Sequence, residues 1–242
     1  MASPTIKVFF QPPTDLANYD RTLPATSQHP GIPHPFLDCM AVRESVFVHG
    51  QNIPIELEAD SDDCRCHHWV AYASSDDGSA PVPVGTVRIV PYPQEEHPEP
   101  GGHYDLPENI TKNRLEPEPR PWIVDRPTSL HNGREPYLKL GRMAVVAEYR
   151  KYGVARKLVD AALDWAAANG KHVFSQPGAK NDAGEVLDDE MTVWNGLVCA
   201  HAQCSVEGFW AKMGFTVDEK MGMWHEAGIP HVGMFKRLKV AA

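Results

Sequence analysis

One stretch constrains the fold more than any other: RMAVVAEYRKYGVARKLVDAAL, from Arg142 to Leu163. Tyr137–Val146 reads as an apolar strand, and Leu158, Ala162, Leu163 and Ala166 recur at helical intervals through Val154–Asn169. The basic turn Arg150–Ala155 therefore lies directly between a strand and a helix. That position suits a phosphate, because a helix N-terminus offers unpaired backbone N–H groups and a partial positive charge. Gly153 lets the backbone come close and take unusual dihedrals. Ala155 is too small to block the approach, and Arg150 and Lys151 add charge. Gly170 stands where a C-terminal cap belongs, which would end the helix near Asn169.

Around this stretch the remaining elements fall into an α/β order. Pro35–His49 places Phe36, Cys39, Met40, Val42, Val46 and Phe47 at helical spacing and predicts an amphipathic helix. A polar block follows, holding Glu56, Glu58, Asp60, Asp62 and Asp63. His68–Ala73 and Val82–Val90 read as strands joined by SSDDGSAP, whose Asp-Gly and Pro chemistry is that of a hairpin loop. From Pro91 to Pro136 ten of the 22 prolines occur, so neither a continuous helix nor a central strand fits there. A long excursion between strands is expected, either a lid or a plain surface insertion. After the helix come a polar loop near Gln176–Asp189, an apolar run Trp194–Ala202 and a short helix near Ser205–Met213. Strands around Phe215–Val217 and Val232–Leu238 close the chain. This order predicts a single domain spanning residues 1–242, with one mixed central sheet flanked by helices and a Pro-rich insertion near 91–136.

Composition narrows the function classes. The net charge of −9 does not suit wrapping nucleic acid or binding an anionic membrane, and it allows a cationic substrate. No apolar run is long enough for a membrane span. Five cysteines in 242 residues fit reduced thiols in a cytoplasmic or nuclear protein. Cys64-Arg65-Cys66-His67-His68 crowds four possible ligands into five residues, but no second half with zinc-site spacing accompanies it, so no metal is expected.

Arg150-Lys151-Tyr152-Gly153-Val154-Ala155 resembles motif A of the GNAT N-acetyltransferase superfamily, R/Q-x-x-G-x-G/A, in its strand–loop–helix setting. Glu207-Gly208-Phe209-Trp210-Ala211-Lys212-Met213-Gly214-Phe215 is similar to that family's late helix. Val42–Val48, Glu58-x-Asp60-x-x-Asp63, Gly85-Thr86-Val87-Arg88 and Gly228-Ile229-Pro230-His231-x-x-Met234 resemble the ElaA-like branch. The acidic block also resembles acyl-homoserine-lactone synthases, which share the fold.

The resemblance implies a GNAT fold and acetyl-CoA as cosubstrate. It implies that Met143, Ala144 and Val145 face the pantetheine and thioester. Arg150, Lys151, Tyr152, Gly153, Val154 and Ala155 would hold the pyrophosphate. An N–H near Val145 would stabilise the oxyanion. An alkylammonium of pKa about 10.4 needs a proton acceptor, for which Glu58 and Asp60 are the candidates, directly or through water, with His67 and His201 behind them because a lone histidine more often completes a packed hydrogen-bond network. The departing thiolate gains from an acid, but the family's usual tyrosine is Trp210 here, whose indole does not release its proton usefully. Cys204 is the candidate in its place, with His201, water or no acid at all as alternatives. Trp194, Trp210 and Trp224 are expected as core or pocket walls. The Pro-rich insertion leans the acceptor toward a primary amine of a small molecule, because a lid over the cleft would narrow access, and a homodimer is allowed. A protein lysine or N-terminal acetyltransferase and a non-catalytic acyl-CoA-binding module stay open beside it.

Overall fold

A computed structural model describes residues 4–74, 79–104, 114–115, 118 and 120–240. The strands are β1 Thr5–Gln11, β2 His67–Ser74, β3 Val82–Val90, β4 His103–Tyr104, β5 Leu138–Val145, β6 Leu197–Gln203, β7 Thr216–Val217, β8 Met223–Glu226 and β9 Ile229–Arg237. They form one mixed sheet in the order β1-β2-β3-β5-β6-β9-β8-β4, with β7 also paired to β9. The principal helices are α1 His34–Arg43, α2 Val154–Phe174 and α3 Glu207–Lys212. The α/β sheet with flanking helices matches the expectation. The centre of the predicted hairpin loop, residues 75–78, lies outside the described residues, as do parts of the Pro-rich segment. The chain folds as two compact units, one of residues 1–90, 108–118 and 141–162, the other of residues 91–107, 119–140 and 163–242.

In the first unit β2 is buried along almost its whole length, between antiparallel partners β1 and β3. β1 was not legible as a strand because it is an edge: only Gln11 of its seven residues is buried. α1 lays Phe36 and Met40 into a core with Leu16, Tyr19, Ile32, Ala59 and Leu115. Burial of each large side chain of this kind contributes about 1.5–3 kcal/mol. The helix expected to run to His49 instead passes into a π-helical turn at Glu44–Val48 and stops at Asn52, whose φ is 58°. Val46 and Phe47, expected on its buried stripe, are only half-buried. Arg43 and Glu44 take the buried positions, because Arg43 has carboxylate partners and Glu44 Oε1 accepts the Ala25 N–H at 2.7 Å.

In the second unit β6 and β9 pair antiparallel from Leu197↔Arg237 to Gln203↔His231. Their core holds Tyr137, Leu197, Cys199, Met221, Trp224 and Phe235. Tyr92–Pro98 and Trp122–Pro136 are tied into this unit. The Asp218 carboxylate accepts from the backbone of Ser129, Leu130 and Met221 and from the Thr128 hydroxyl, holding that turn in place. The polar loop before β6 leads into Trp194, which is fully buried and donates its indole N–H to Leu197 O at 2.7 Å.

Gly170 does not cap α2, which continues four residues further to Phe174. The glycine answers to packing instead: a Cβ there would lie 2.3 Å from Cζ3 of Trp194. A close approach of this kind, rather than helix termination, accounts for the residue.

Candidate functional site

The turn predicted to hold a pyrophosphate opens a helix of 21 residues. Val154, Leu158, Val159 and Ala162 are buried on one stripe, so packing fixes the direction of the helix, while Arg150–Gly153 stay exposed. Gly85 on β3 allows this seat, since a Cβ there would lie 2.7 Å from Val154 Cγ1 and 2.9 Å from Leu158 Cδ1. Gly153 has φ 72°, a backbone conformation that side chains resist, and nothing lies within 4 Å of where its Cβ would be. The first-turn N–H groups of α2 have no intrahelical acceptors. Open space over a glycine, unpaired N–H groups, and exposed Arg150 and Lys151 together fit an anionic phosphate group.

Upstream, Arg150 Nε donates to the Val145 carbonyl at 3.1 Å, tying the turn back to the end of β5. Val146 N–H donates to Val84 O at 2.9 Å. Strand alternation then directs the backbone groups of Ala144 toward β3, and those of Met143 and Val145 toward the opposite edge. Ala144 and Val145 are buried and Met143 is half-buried.

Directly before this edge sits Arg142, with φ 49° in a non-glycine residue. Its Nη2 donates to Asp60 Oδ2 at 3.0 Å, and its Nε lies 3.2 Å from Glu58 Oε1. Glu58, 3% exposed, also accepts Arg43 Nε at 2.7 Å. Arg88 Nη2 donates to Asp60 Oδ2 at 2.6 Å, and Arg88 Nη1 and Arg43 Nη1 both donate to Asp63 Oδ1, at 2.5 and 2.7 Å. Three guanidinium groups thus balance three carboxylates in a largely dry cluster. Burial opposes ionisation of Asp63, but Arg43 and Arg88 overcome it and hold its carboxyl well below the usual range. Asp60 sits at about 2 against the same burial, through Arg88 and Arg142.

Glu58 and Asp60, the carboxylates proposed as bases, are therefore committed to arginines. A carboxylate titrating at about 2 is a poor acceptor for an ammonium proton. The sequence carried a signal for this cluster: Arg43, the acidic trio and Arg88 each stand in one of the ElaA-like blocks. What spacing did not reveal is that the three blocks converge, and that Arg142 joins them.

Cys204 begins a 3₁₀ turn at Cys204–Val206, half-buried and with a free thiol. Trp210 is 4% exposed and packs against Phe209 and Phe215, with ring centroids 5.5 and 5.1 Å away. In the Cys64–His68 cluster, Cys64 Sγ donates to Ser61 O and the His68 Nε2–H donates to Asp63 O at 3.1 Å. Burial pushes the Cys66 thiol up and lowers both histidines to about 4. Among the described residues no three His, Cys, Asp or Glu side chains come together as a metal would require. Among them, too, no helix is long and apolar enough to cross a membrane.

The acetyltransferase (GNAT) family profile matches residues 36–183, and the chain belongs to that family. No match is found among curated proteins. Among solved structures, the chain is similar to a Lactobacillus plantarum protein described as a candidate N-acetyltransferase. The two are 20% identical over 96% of this chain and 98% of that one, with a TM-score of 0.50, a likeness of fold. It is also similar to Escherichia coli ElaA at 16% identity over 96% and 100% of the two chains, with a TM-score of 0.49. An acyl-CoA N-acyltransferase from Pseudomonas aeruginosa gives 17% identity, coverage of 96% and 99%, and a TM-score of 0.47.

Proposed function

We propose that this chain is an acyl-CoA-dependent N-acetyltransferase that moves an acetyl group from acetyl-CoA to a primary amine of a small molecule. Attack is direct, within a ternary complex. The observation that carries the reading is the exposed Arg150–Ala155 turn at the head of α2, with open space over a left-handed Gly153. Acetyl-CoA, when bound, supplies the activated thioester. Arg150, Lys151 and the first-turn N–H groups hold its pyrophosphate, with Tyr152 and the small Ala155 beside it. Met143 and Val145 offer backbone groups to the pantetheine, and the Val145 N–H meets the oxyanion as negative charge develops.

The net charge of −9 suits a cationic acceptor and does not suit nucleic acid or an anionic membrane. The test is release of free CoA from acetyl-CoA by the purified protein, across a panel of small primary amines and lysine-containing peptides. CoA release with small amines is expected. Release with peptides alone would move the acceptor to protein. Acetyl-CoA binding with no release for any amine would make the chain a binding module.

A further inference from the structure

Among the described residues, three that are not glycine hold a left-handed backbone, and two of them have a local reason. Asn52 ends a helix, and Ala227 lies with Gly228 in the two-residue turn between β8 and β9. Arg142, with φ 49°, lies inside β5, where no turn calls for it. A residue with a Cβ resists that conformation, and such strain persists only where the surrounding structure imposes it.

Here the side chain imposes it. Arg142 Nη2 donates to Asp60 Oδ2 at 3.0 Å and to Glu58 O at 3.5 Å, while its Nε lies 3.2 Å from Glu58 Oε1. Neither acidic residue is free to follow a relaxing strand, because each is fixed from elsewhere. Arg43 on α1 holds the Glu58 carboxylate at 2.7 Å. Arg88 on β3 holds Asp60 through both terminal nitrogens, at 2.8 and 2.6 Å. Asp63 accepts from both of those arginines and from the Asp60 N–H at 3.0 Å. All of these residues, with Met143–Val145 after them, belong to the first compact unit.

Stability alone is a weak reason for such a cluster, since desolvating paired charges costs about as much as their attraction returns. What the cluster does supply is a fixed geometry, delivered through Arg142 to the residues next along the strand. A left-handed residue within a strand re-aims the chain beyond it. Arg142 therefore sets where the backbone groups of Met143, Ala144 and Val145 point. The far end of this segment is tied by Arg150 Nε to Val145 O at 3.1 Å and by Val146 N–H to Val84 O at 2.9 Å. The Arg142 end is the one held by charge against strain.

We propose that Arg142 is a positioning residue for the acyl transfer, its ion pairs with Glu58 and Asp60 holding the strained backbone that aims Met143–Val145 at the thioester. The assignment rests on the N-acetyltransferase reading above. Arg142 touches no reacting atom and acts through the Val145 N–H, which meets the oxyanion. Glu58 and Asp60 thereby hold the strand in place, and neither takes the acceptor's proton. Misplacing such a donor by about 1 Å costs about 10²-fold in rate.

The experiment compares wild type with Arg142→Ala, Arg142→Gly and Arg142→Lys under conditions where each is folded. It measures CoA release with the best amine of the panel, acetyl-CoA affinity by calorimetry, and the urea midpoint of the ligand-free protein. Arg142→Ala loses the ion pairs and keeps a Cβ that resists the left-handed backbone. Its kcat should fall by about 10²-fold, with acetyl-CoA affinity within a few-fold because the pyrophosphate turn is untouched. Arg142→Gly adopts that backbone freely and Arg142→Lys keeps a cation for Asp60, so each should recover part of kcat. Without ligand, Arg142→Gly should unfold at higher urea than Arg142→Ala, the reverse of the usual order. A residue that only stabilised the fold would shift the midpoint and leave kcat of the folded enzyme alone. Arg142→Ala within a few-fold of wild-type kcat, or more resistant to urea than Arg142→Gly, would overturn the assignment and leave the acetyltransferase reading standing. Should Arg142→Ala fail to fold, Arg142→Gly decides: a kcat lowered about tenfold or more supports the assignment, and a wild-type kcat overturns it. Wild type that binds acetyl-CoA but releases no CoA with any amine would remove both.

Discussion

Arg43 grips Asp63 through two donors, Nη1 to Oδ1 at 2.7 Å and Nη2 to Oδ2 at 3.1 Å, with both side chains out of water. Removing one member of such a pair leaves an uncompensated buried charge, at a cost of about 3–5 kcal/mol. Arg43→Met should therefore lose about that much stability in urea unfolding, because Asp63 and Glu58 each lose a cationic partner while staying buried. A loss below about 1 kcal/mol would mean that water reaches the cluster.

The same cluster sets a sign for acid sensitivity. Asp60 titrates at about 2 in the folded chain, against about 3.9 when unfolded, and Arg43 and Arg88 hold Asp63 well below its ordinary value despite its burial. Depressed folded values mean that the unfolded state binds more protons as pH falls. Their stabilisation is complete above about pH 4 and drains away as pH drops through about 2. Thermal melts of wild type and Asp60→Asn should show a shallower acid decline in the variant. Parallel declines would remove Asp60 from the account.

Helix propensity alone favours Ala over Gly by about 1 kcal/mol. At Gly170 packing should reverse that sign, because the new methyl would meet the Trp194 ring at 2.3 Å. Overpacking of this kind costs about 1–3 kcal/mol. Gly170→Ala should accordingly lower the urea midpoint, whereas a raised midpoint would contradict the Trp194 contact.

Trp210 stands where the family commonly has a tyrosine, and here it is buried between Phe209 and Phe215. Trp210→Phe preserves aromatic packing and removes one indole N–H, so kcat should fall only several-fold. A loss of about 10²–10⁴-fold with normal acetyl-CoA affinity would instead give the N–H an essential role in the transition state.

The residues that could be read from sequence alone share a property. α2 and the turn before it were legible because periodicity, a glycine and basic residues all lie within one local stretch. The sheet's central strands were legible from continuous apolar runs. β1 and β8 were not, since β1 is a mostly exposed edge strand and β8 buries only Trp224 among its four residues. The extent of α2 was misread because Gly170 owes its identity to Trp194, 24 positions further along the chain, and no local rule reports that contact. For the same reason Glu58 and Asp60 looked like free acids. Their partners Arg43, Arg88 and Arg142 come from α1, β3 and β5, and only the fold brings them together. His201 and Glu226 are likewise 25 residues apart and meet through the pairing of β6 and β8 with β9.

The central claim is that the head of α2 binds the pyrophosphate of acetyl-CoA, and Gly153→Glu tests it most directly. The substitution puts bulk and negative charge at the left-handed position now open to solvent. Isothermal calorimetry of wild type and variant with acetyl-CoA, alongside thermal melts to confirm folding, reads the result. The account predicts a folded variant with no measurable binding where wild type binds. A folded variant that binds acetyl-CoA with unchanged affinity would contradict it.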